Sequence, residues 1–260
     1  MNEIRLYPIC AGRVTIDKSA LTQGRGMGTR IKIPVQVFLI THPKGNIVVD
    51  TGVHQQVAVD PVGYWGAAKV KLLTPDVRPD EDVVSQLKET FKLSPGDIRY
   101  VINTHLHVDH SGCNQHFTES TFLVQKDELR AAFWPEIFQR GSYYRTDFDH
   151  PLKYEDLDGD YDVFGDGTIQ LIRTPGHTQG HQSIILNLPV DGMFVLTGDS
   201  CYMTENVNEM VGPGIVWNSE EAIKSLKKIR YLRDQKGAFL ITGHDAVLWN
   251  QIKHFPEYYH

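Results

Sequence analysis

The sequence has no long apolar run. Its longest continuous stretches, such as VQVFLI at 35–40, are only a few residues, far short of the ~20 that a membrane-spanning helix needs. Cysteine is scarce: Cys10, Cys113 and Cys201 form an odd count with no CxxC spacing, so neither a disulfide framework nor a thiolate metal site is implied. Positive charge is also thin. Lys and Arg total 26 against 32 Asp and Glu, a net charge of −6, and no basic block is dense enough to track phosphates. Nucleic acid is therefore not an expected partner. The chain has no linker rich in Pro, Gly or Ser and no low-complexity tract, and 1–260 reads as one domain. The opening MNEIRLYPICAG carries Glu3 and Arg5 and lacks an apolar signal region, which makes a cytoplasmic location, away from membranes, the expectation.

What is present is the balance of a globular chain, 41% hydrophobic and 22% charged. Eight segments have the β-branched and apolar character of strands: 35–40, 46–50, 100–104, 121–125, 168–173, 182–188, 193–197 and 238–242. Helical spacing falls between them. Asp80 is placed to cap a segment bearing Val83, Val84, Leu87 and Phe91, and Ser219 to cap one bearing Ala222, Ile223, Leu226 and Ile229. A third helix is expected from Asp127 to about Phe133. Intermixed strands and helices predict an α/β layered fold. Residues 52–79 have no clean period and read as a long loop with partial helix.

Twelve histidines are unusual in their placement. HLHVDH, residues 105–110, follows the predicted strand YVINT. In extended chain 105, 107 and 109 share a face, and His110 joins them if the chain turns at Ser111-Gly112-Cys113. One histidine in such a segment is ordinarily just a polar residue. Four ligand types within six residues point to metal, because packing them together without one leaves buried polar groups unpaired. The pattern recurs: His177 follows TIQLIRT, Asp199 follows MFVLTG and His244 follows AFLITG. Strand carboxyl ends gather ligands in α/β proteins. Five histidines and two aspartates are too many for one tetrahedral ion and suit two, with His105, His107 and His177 on one, Asp109, His110 and His244 on the other, and Asp199 between. Nitrogen and oxygen donors without thiolate suit Zn²⁺, with Mn²⁺, Fe²⁺ or Co²⁺ in its place. Asp50, ending NIVVDTG, is assigned to holding a ligand histidine.

With HLHVDH meeting the signature HxHxDH, the chain resembles the metallo-β-lactamase superfamily over essentially its whole length. That resemblance implies an αββα sandwich with a dinuclear site at one edge. Within the superfamily it is most similar to the N-acyl-homoserine-lactone lactonases, which quench quorum signals. LYPICAGRVTID, PVQVFLITHPKGNIVVDTG, TPGHTQGHQSI and GHDAVLWNQIKHFPEYY carry the likeness. Tyr202 coincides with the tyrosine those lactonases use near the metals, and a homodimer is an expectation at family level only. Only 16 residues follow His244, too few for the helical region that glyoxalase II enzymes add there. Cys201 reads as a packed free thiol, and His181 as bracing a loop.

The resemblance implies a hydrolase that opens N-acyl-homoserine lactones to N-acyl-homoserines by attack of a metal-bridging hydroxide, with Asp109 relaying a proton and Tyr202 donating to the carbonyl oxygen. The alternatives are another lactone, ester or thioester hydrolase of this fold, or a non-catalytic metal-binding protein. For the acyl chain, Met27, Tyr64, Trp65, Val108, Ile215 and Trp217 are the candidate lining. Some lactonases have a larger aromatic at the position of Val108, so a roomier groove is expected.

Overall fold

A computed structural model describes residues 3–260. Among the described residues twelve strands form two sheets: β1 Arg5–Asp17, β2 Arg30–Thr41, β3 Asn46–Val49, β4 Thr74–Asp76, β5 Ile98–Ile102, β6 Thr121–Gln125, β7 Lys153–Leu157, β8 Tyr161–Asp162, β9 Ile169–Arg173, β10 Gln182–Leu188, β11 Gly192–Leu196 and β12 Phe239–Ile241. The larger sheet runs β4-β1-β2-β3-β5-β6-β7 and the smaller β12-β11-β10-β9-β8.

Strand periodicity explains the layering. On β2, Phe38 and Ile40 enter the core between the sheets, where they join Ile184, Leu186, Leu196 and Ile241 from the smaller sheet. Val35, Val37 and Leu39, of opposite parity, face outward into a second core with Val83, Leu87 and Ala131 from covering helices. On β10, Ile185 likewise leaves the central core and packs with Leu226 and Ile229 of the helix Ser219–Lys236. Each sheet thus buries both faces, giving the αββα sandwich.

All eight anticipated strands are present. β1 is the long element that sequence patterning missed, because Pro8 and Gly12 punctuate RLYPICAGRVTID and a register shift between Cys10 and Arg13 breaks its alternation. Both helix caps lie elsewhere than expected. Asp82, not Asp80, accepts from Ser85 N, and Asn218, not Ser219, accepts from Glu220 N and Glu221 N. The segment 52–79 holds short helices Gln55–Ala58, Pro61–Trp65 and Ala67–Leu72, then β4 pairing with β1.

This segment is stitched to residues 134–150 by two tyrosines. Tyr64 donates to the buried carboxylate of Asp147 and lies 3.0 Å from Thr146 Oγ1, and Tyr144 donates to Trp65 O at 2.6 Å. Burial lifts the Asp147 carboxyl from 3.8 to about 7, against the hydrogen bond from Tyr64 that favours its charge. With its pKa raised, Asp147 keeps its proton in the fold after the unfolded chain has lost it. Its contribution to stability is therefore full below the unfolded value and is lost as pH rises through the folded one. Asp147→Asn keeps an acceptor for Tyr64 and removes this slope. In thermal unfolding the advantage of the variant over the parent should grow from about pH 5 to about pH 8, and a constant difference would refute the coupling.

Candidate metal centre

Four loops deliver the candidate ligands to one edge of the sandwich. They follow β5, β9, β11 and β12, and the turn after β3 brings Asp50 beside them. β3 and β5 are parallel, as are β11 and β12, so their carboxyl ends share an edge. The HLHVDH segment is not extended as parity suggested. It already turns at His107, whose carbonyl accepts from His110 N at 3.0 Å and Ser111 N at 3.1 Å. Leu106 and Val108 anchor that turn in the outer core. Gly112 serves close approach rather than the turn: a Cβ there would meet His54 N at 2.1 Å and Val53 C at 2.3 Å.

Three imidazoles converge first. His177 Nε2 lies 3.2 Å from His105 Nε2 and 2.9 Å from His107 Nδ1. Donors about 2.0–2.1 Å from a tetrahedral ion stand roughly 3.3 Å apart, so this spacing fits a shared cation. Asp109, His110 and His244 form a second group, with Asp109 oxygens 3.9 Å from His110 Nε2 and 3.8 Å from His244 Nε2. Asp199 stands between the two. Its Oδ2 is 3.6 Å from His105 Nε2 and 3.3 Å from His177 Nε2, and its Oδ1 is 3.4 Å from His110 Nε2 and 3.2 Å from His244 Nε2. Among the described residues Asp199 Oδ1 and His110 Nε2 are buried with no hydrogen-bond partner. Orphaned donor atoms aimed at one another are what a missing cation would satisfy.

The far side of four of the five ligand rings is fixed, His107 being the exception, with its Nε2 buried and unpartnered among the described residues. The Nδ1 atoms of His177 and His244 face Ile215 O and Pro34 O, each at 2.8 Å, His110 Nδ1 faces Asp50 Oδ2 at 2.8 Å, and His105 Nδ1 faces Thr104 Oγ1 at 3.0 Å. Each contact sets the tautomer that leaves a lone pair on the inward Nε2. Burial and neighbouring imidazoles push His105 and His107 well below their ordinary pKa. Burial opposes charge on Asp199, yet His110, His244 and His105 more than reverse it and hold the carboxyl well below the usual range. Neutral His105 and His107 and ionised Asp199 are in the states a divalent cation requires. At His110 and His244 burial opposes the charge, but the carboxylates of Asp199 and Asp109 outweigh it and raise both above the ordinary imidazole value, so a cation there displaces protons.

His181 is a brace. Its ring is pushed down to about 3 by burial, accepts from Asp199 N at 2.9 Å, and contacts Thr174 Oγ1 at 2.9 Å. Glu128 is a brace that sequence reading did not single out. Fully buried, it accepts from Leu106 N, Thr178 Oγ1, Tyr143 OH and Gly180 N, so one carboxylate joins two ligand loops. Its only sequence signal is an acidic residue within the otherwise apolar face of the helix Lys126–Phe133.

A cavity of about 620 Å³ opens over the cluster, and Asp109, His107, His177, Asp199 and His244 line its floor. Tyr202 lies there too, buried, with its hydroxyl 3.1 Å from His177 Nδ1. Burial, with Asp199 and Asp109 nearby, holds this phenol well above its ordinary pKa, so it stays protonated at neutral pH. Of the anticipated lining, Trp65, Val108 and Ile215 face the cavity. Met27, Tyr64 and Trp217 do not. Met27 is 84% exposed, Tyr64 turns to Asp147 and stacks on His54, and Trp217 donates its backbone N–H to Gly176 O and His177 O. Leu21, Ile33, Leu73, Phe138 and Tyr144 add apolar and aromatic surface to the walls, and Asp17, Arg30 and Lys69 add charge, all from segments with no distinguishing pattern.

Comparison with known proteins agrees with this geometry. The sequence profile of the metallo-beta-lactamase superfamily matches residues 31–244. The N-acyl homoserine lactonase AttM of Azorhizobium caulinodans is 39% identical, with all of both chains aligned. The chain belongs to the N-acyl homoserine lactonase family of that superfamily. AiiA, the lactonase of Bacillus thuringiensis subsp. kurstaki, is 32% identical over 98% of each chain. The structure of an N-acyl homoserine lactone hydrolase with N-hexanoyl-L-homoserine at its catalytic metal center superposes with a TM-score of 0.90, at 31% identity, covering 99% of this chain and 100% of that one.

In this lactonase-family fold Asp50 adopts φ 56°, a left-handed conformation that asparagine tolerates. Asp50→Asn therefore removes the charge behind His110 without straining the turn. Chelator competition should show the affinity of the Asp109, His110 and His244 position falling about 10- to 100-fold. Unchanged affinity would show that Asp50 does not tune that ligand.

Proposed function

We propose that this protein is a dinuclear-metal hydrolase that opens the lactone ring of N-acyl-homoserine lactones to give N-acyl-homoserines. The observation that carries the reading is Asp199, one oxygen toward His105 and His177 and the other toward His110 and His244, beneath a largely apolar cavity. His105, His107 and His177 would hold one cation, Asp109, His110 and His244 the other, and Asp199 both. Zinc is the metal assigned, since the donors are imidazole and carboxylate without thiolate. Bound there, two divalent cations supply Lewis acidity and lower the pKa of water towards ~7.

The remaining work falls to the chain. Tyr202, a neutral phenol, donates to the lactone carbonyl oxygen as negative charge gathers on it, a contact worth ~3–4 kcal/mol at other oxyanion sites. Water oxygen bonds to the carbonyl carbon and the ring C–O bond breaks. Asp109, at the cavity floor, takes the proton and returns it to the departing ring oxygen. Trp65, Val108, Leu21 and Ile33 provide an apolar lodging for the acyl chain. A cytoplasmic location fits three cysteines that all remain free thiols.

Zinc-loaded protein mixed with N-hexanoyl-homoserine lactone should release protons and yield a product heavier by one water, and a chelated sample should do neither. No turnover with both sites filled would overturn the reading. Tyr202→Phe should lower kcat about a hundredfold at unchanged metal content, and full turnover would remove its role.

A further inference from the structure

The helix Ala67–Leu72 runs along one cavity wall. Its lining residues Ala68, Lys69 and Leu72, with Trp65 before it and Leu73 after it, follow helical spacing on one face. Four of the five are apolar or nearly so. Lys69 is the exception, half-buried within the stripe, whereas Lys71 sits exposed. Lys69 lines the same cavity as Asp109 and His107; burial there disfavours its ammonium and Asp109 favours it. Among the described residues no hydrogen bond or ion pair engages it.

A lysine in water needs no explanation, but one turned into an apolar wall gives up hydration without a partner to offset the loss. The charge balance of the floor sharpens the point. Two divalent cations bring +4 and the carboxylates of Asp109 and Asp199 remove 2, so a further cation on the same wall adds positive potential to positive potential. Such a site disfavours no neutral ligand and strongly favours an anion. Ring opening creates that anion. A neutral lactone gains water, its ring C–O bond breaks, the ring oxygen receives one proton, and the new carboxylic acid sheds its proton to leave a carboxylate.

We propose that Lys69 is a further catalytic residue, whose ammonium in the cavity wall beside Asp109 and His107 receives the negative charge that develops at the lactone carbonyl and ends on the product carboxylate. This rests on the lactonase reading. The interaction is weak in the ground state and strong once charge appears, so it acts on kcat rather than on KM.

Lys69→Met keeps most of the stem and removes the charge, and Lys69→Arg keeps the charge. With N-hexanoyl-homoserine lactone and matched zinc content, Lys69→Met should lower kcat at least about tenfold with KM nearly unchanged. Calorimetry should show weaker binding of N-hexanoyl-homoserine, the open product, by a similar factor, and unchanged binding of the neutral lactam analogue. Lys69→Arg should recover most of both losses. Unaltered kcat and product affinity in Lys69→Met would overturn the proposal, as would equal weakening of product and lactam, which marks a packing role. If wild-type protein with both sites filled leaves the lactone intact, the lactonase reading itself fails, and that outcome is separate from any difference between the variants.

Discussion

The Asp199 carboxylate, buried between two groups of imidazoles, is the constraint to which the rest of the molecule answers. Its two oxygens face different histidine pairs at 3.2 to 3.6 Å, so both positions depend on where one short turn after β11 places one side chain. That turn is held from three sides. His181 accepts the Asp199 N–H, Thr197 N bonds to Ile241 O of the parallel neighbour β12, and Gly243 N bonds to Cys201 O. Crowding five imidazoles and two carboxylates into a buried volume is unfavourable without cations. The fold keeps the arrangement because each ligand loop leaves a strand whose apolar residues are locked in the central core.

Around this centre a layer of buried polar groups converts strand geometry into ligand geometry. Asp50 accepts from Thr104 N at 2.7 Å and Thr104 Oγ1 at 2.7 Å while facing His110, so the end of β3 orients two ligands that follow β5. Glu128 does the same across a longer sequence separation, tying the turn at Leu106 to the loop at Thr178 and Gly180. Gly180 is itself set by this contact, since a Cβ there would meet Glu128 N at 2.0 Å. Such networks are costly when half-satisfied and rigid when complete. Here the carboxylates have their donors, and the groups left unpaired include the inward atoms Asp199 Oδ1 and His110 Nε2.

How much of this the sequence disclosed follows from the range of each interaction. The strands after which ligands appear were legible because alternation is local, and HLHVDH was legible because four donors in six residues have few other uses. Asp50 could be placed because it ends a strand in the same way the ligands do. The turn inside HLHVDH was not legible: parity assumes an extended chain, and only the burial of Leu106 and Val108 in the outer core curls the segment at His107. β1 was hidden by Pro8 and Gly12, whose turn-forming character loses to pairing with β2 along most of its length. The lining fared worst. Aromatic residues say nothing of which way they face, and Tyr64 and Trp65, adjacent in sequence, point to Asp147 and to the cavity respectively.

That divergence shows how the molecule separates chemistry from accommodation. The floor is built on strand ends, with the rings of His105, His110, His177 and His244 each fixed from behind by a buried oxygen, and tolerates little displacement. The walls come from short helices and loops joined by a few side-chain contacts, chiefly Tyr64 with Asp147 and Tyr144 with Trp65 O. Segments with few long-range contacts open at lower free energy than core strands. Changes in the short helices Pro61–Trp65 and Ala67–Leu72 therefore reshape the space offered to an acyl chain, whereas Val53, His54 and Tyr143, within 52–79 and 134–150, pack on Gly112 or bond Glu128 and so bear on the ligand cage as well. Charge on those walls is different in kind, because it acts over the full depth of a low-dielectric cavity. Lys69 sits in a mostly apolar stretch of that wall, unlike Arg30 and Asp17 of the same cavity, whose side chains are taken up by neighbouring bonds, and it links the wall of the site to the geometry of its floor.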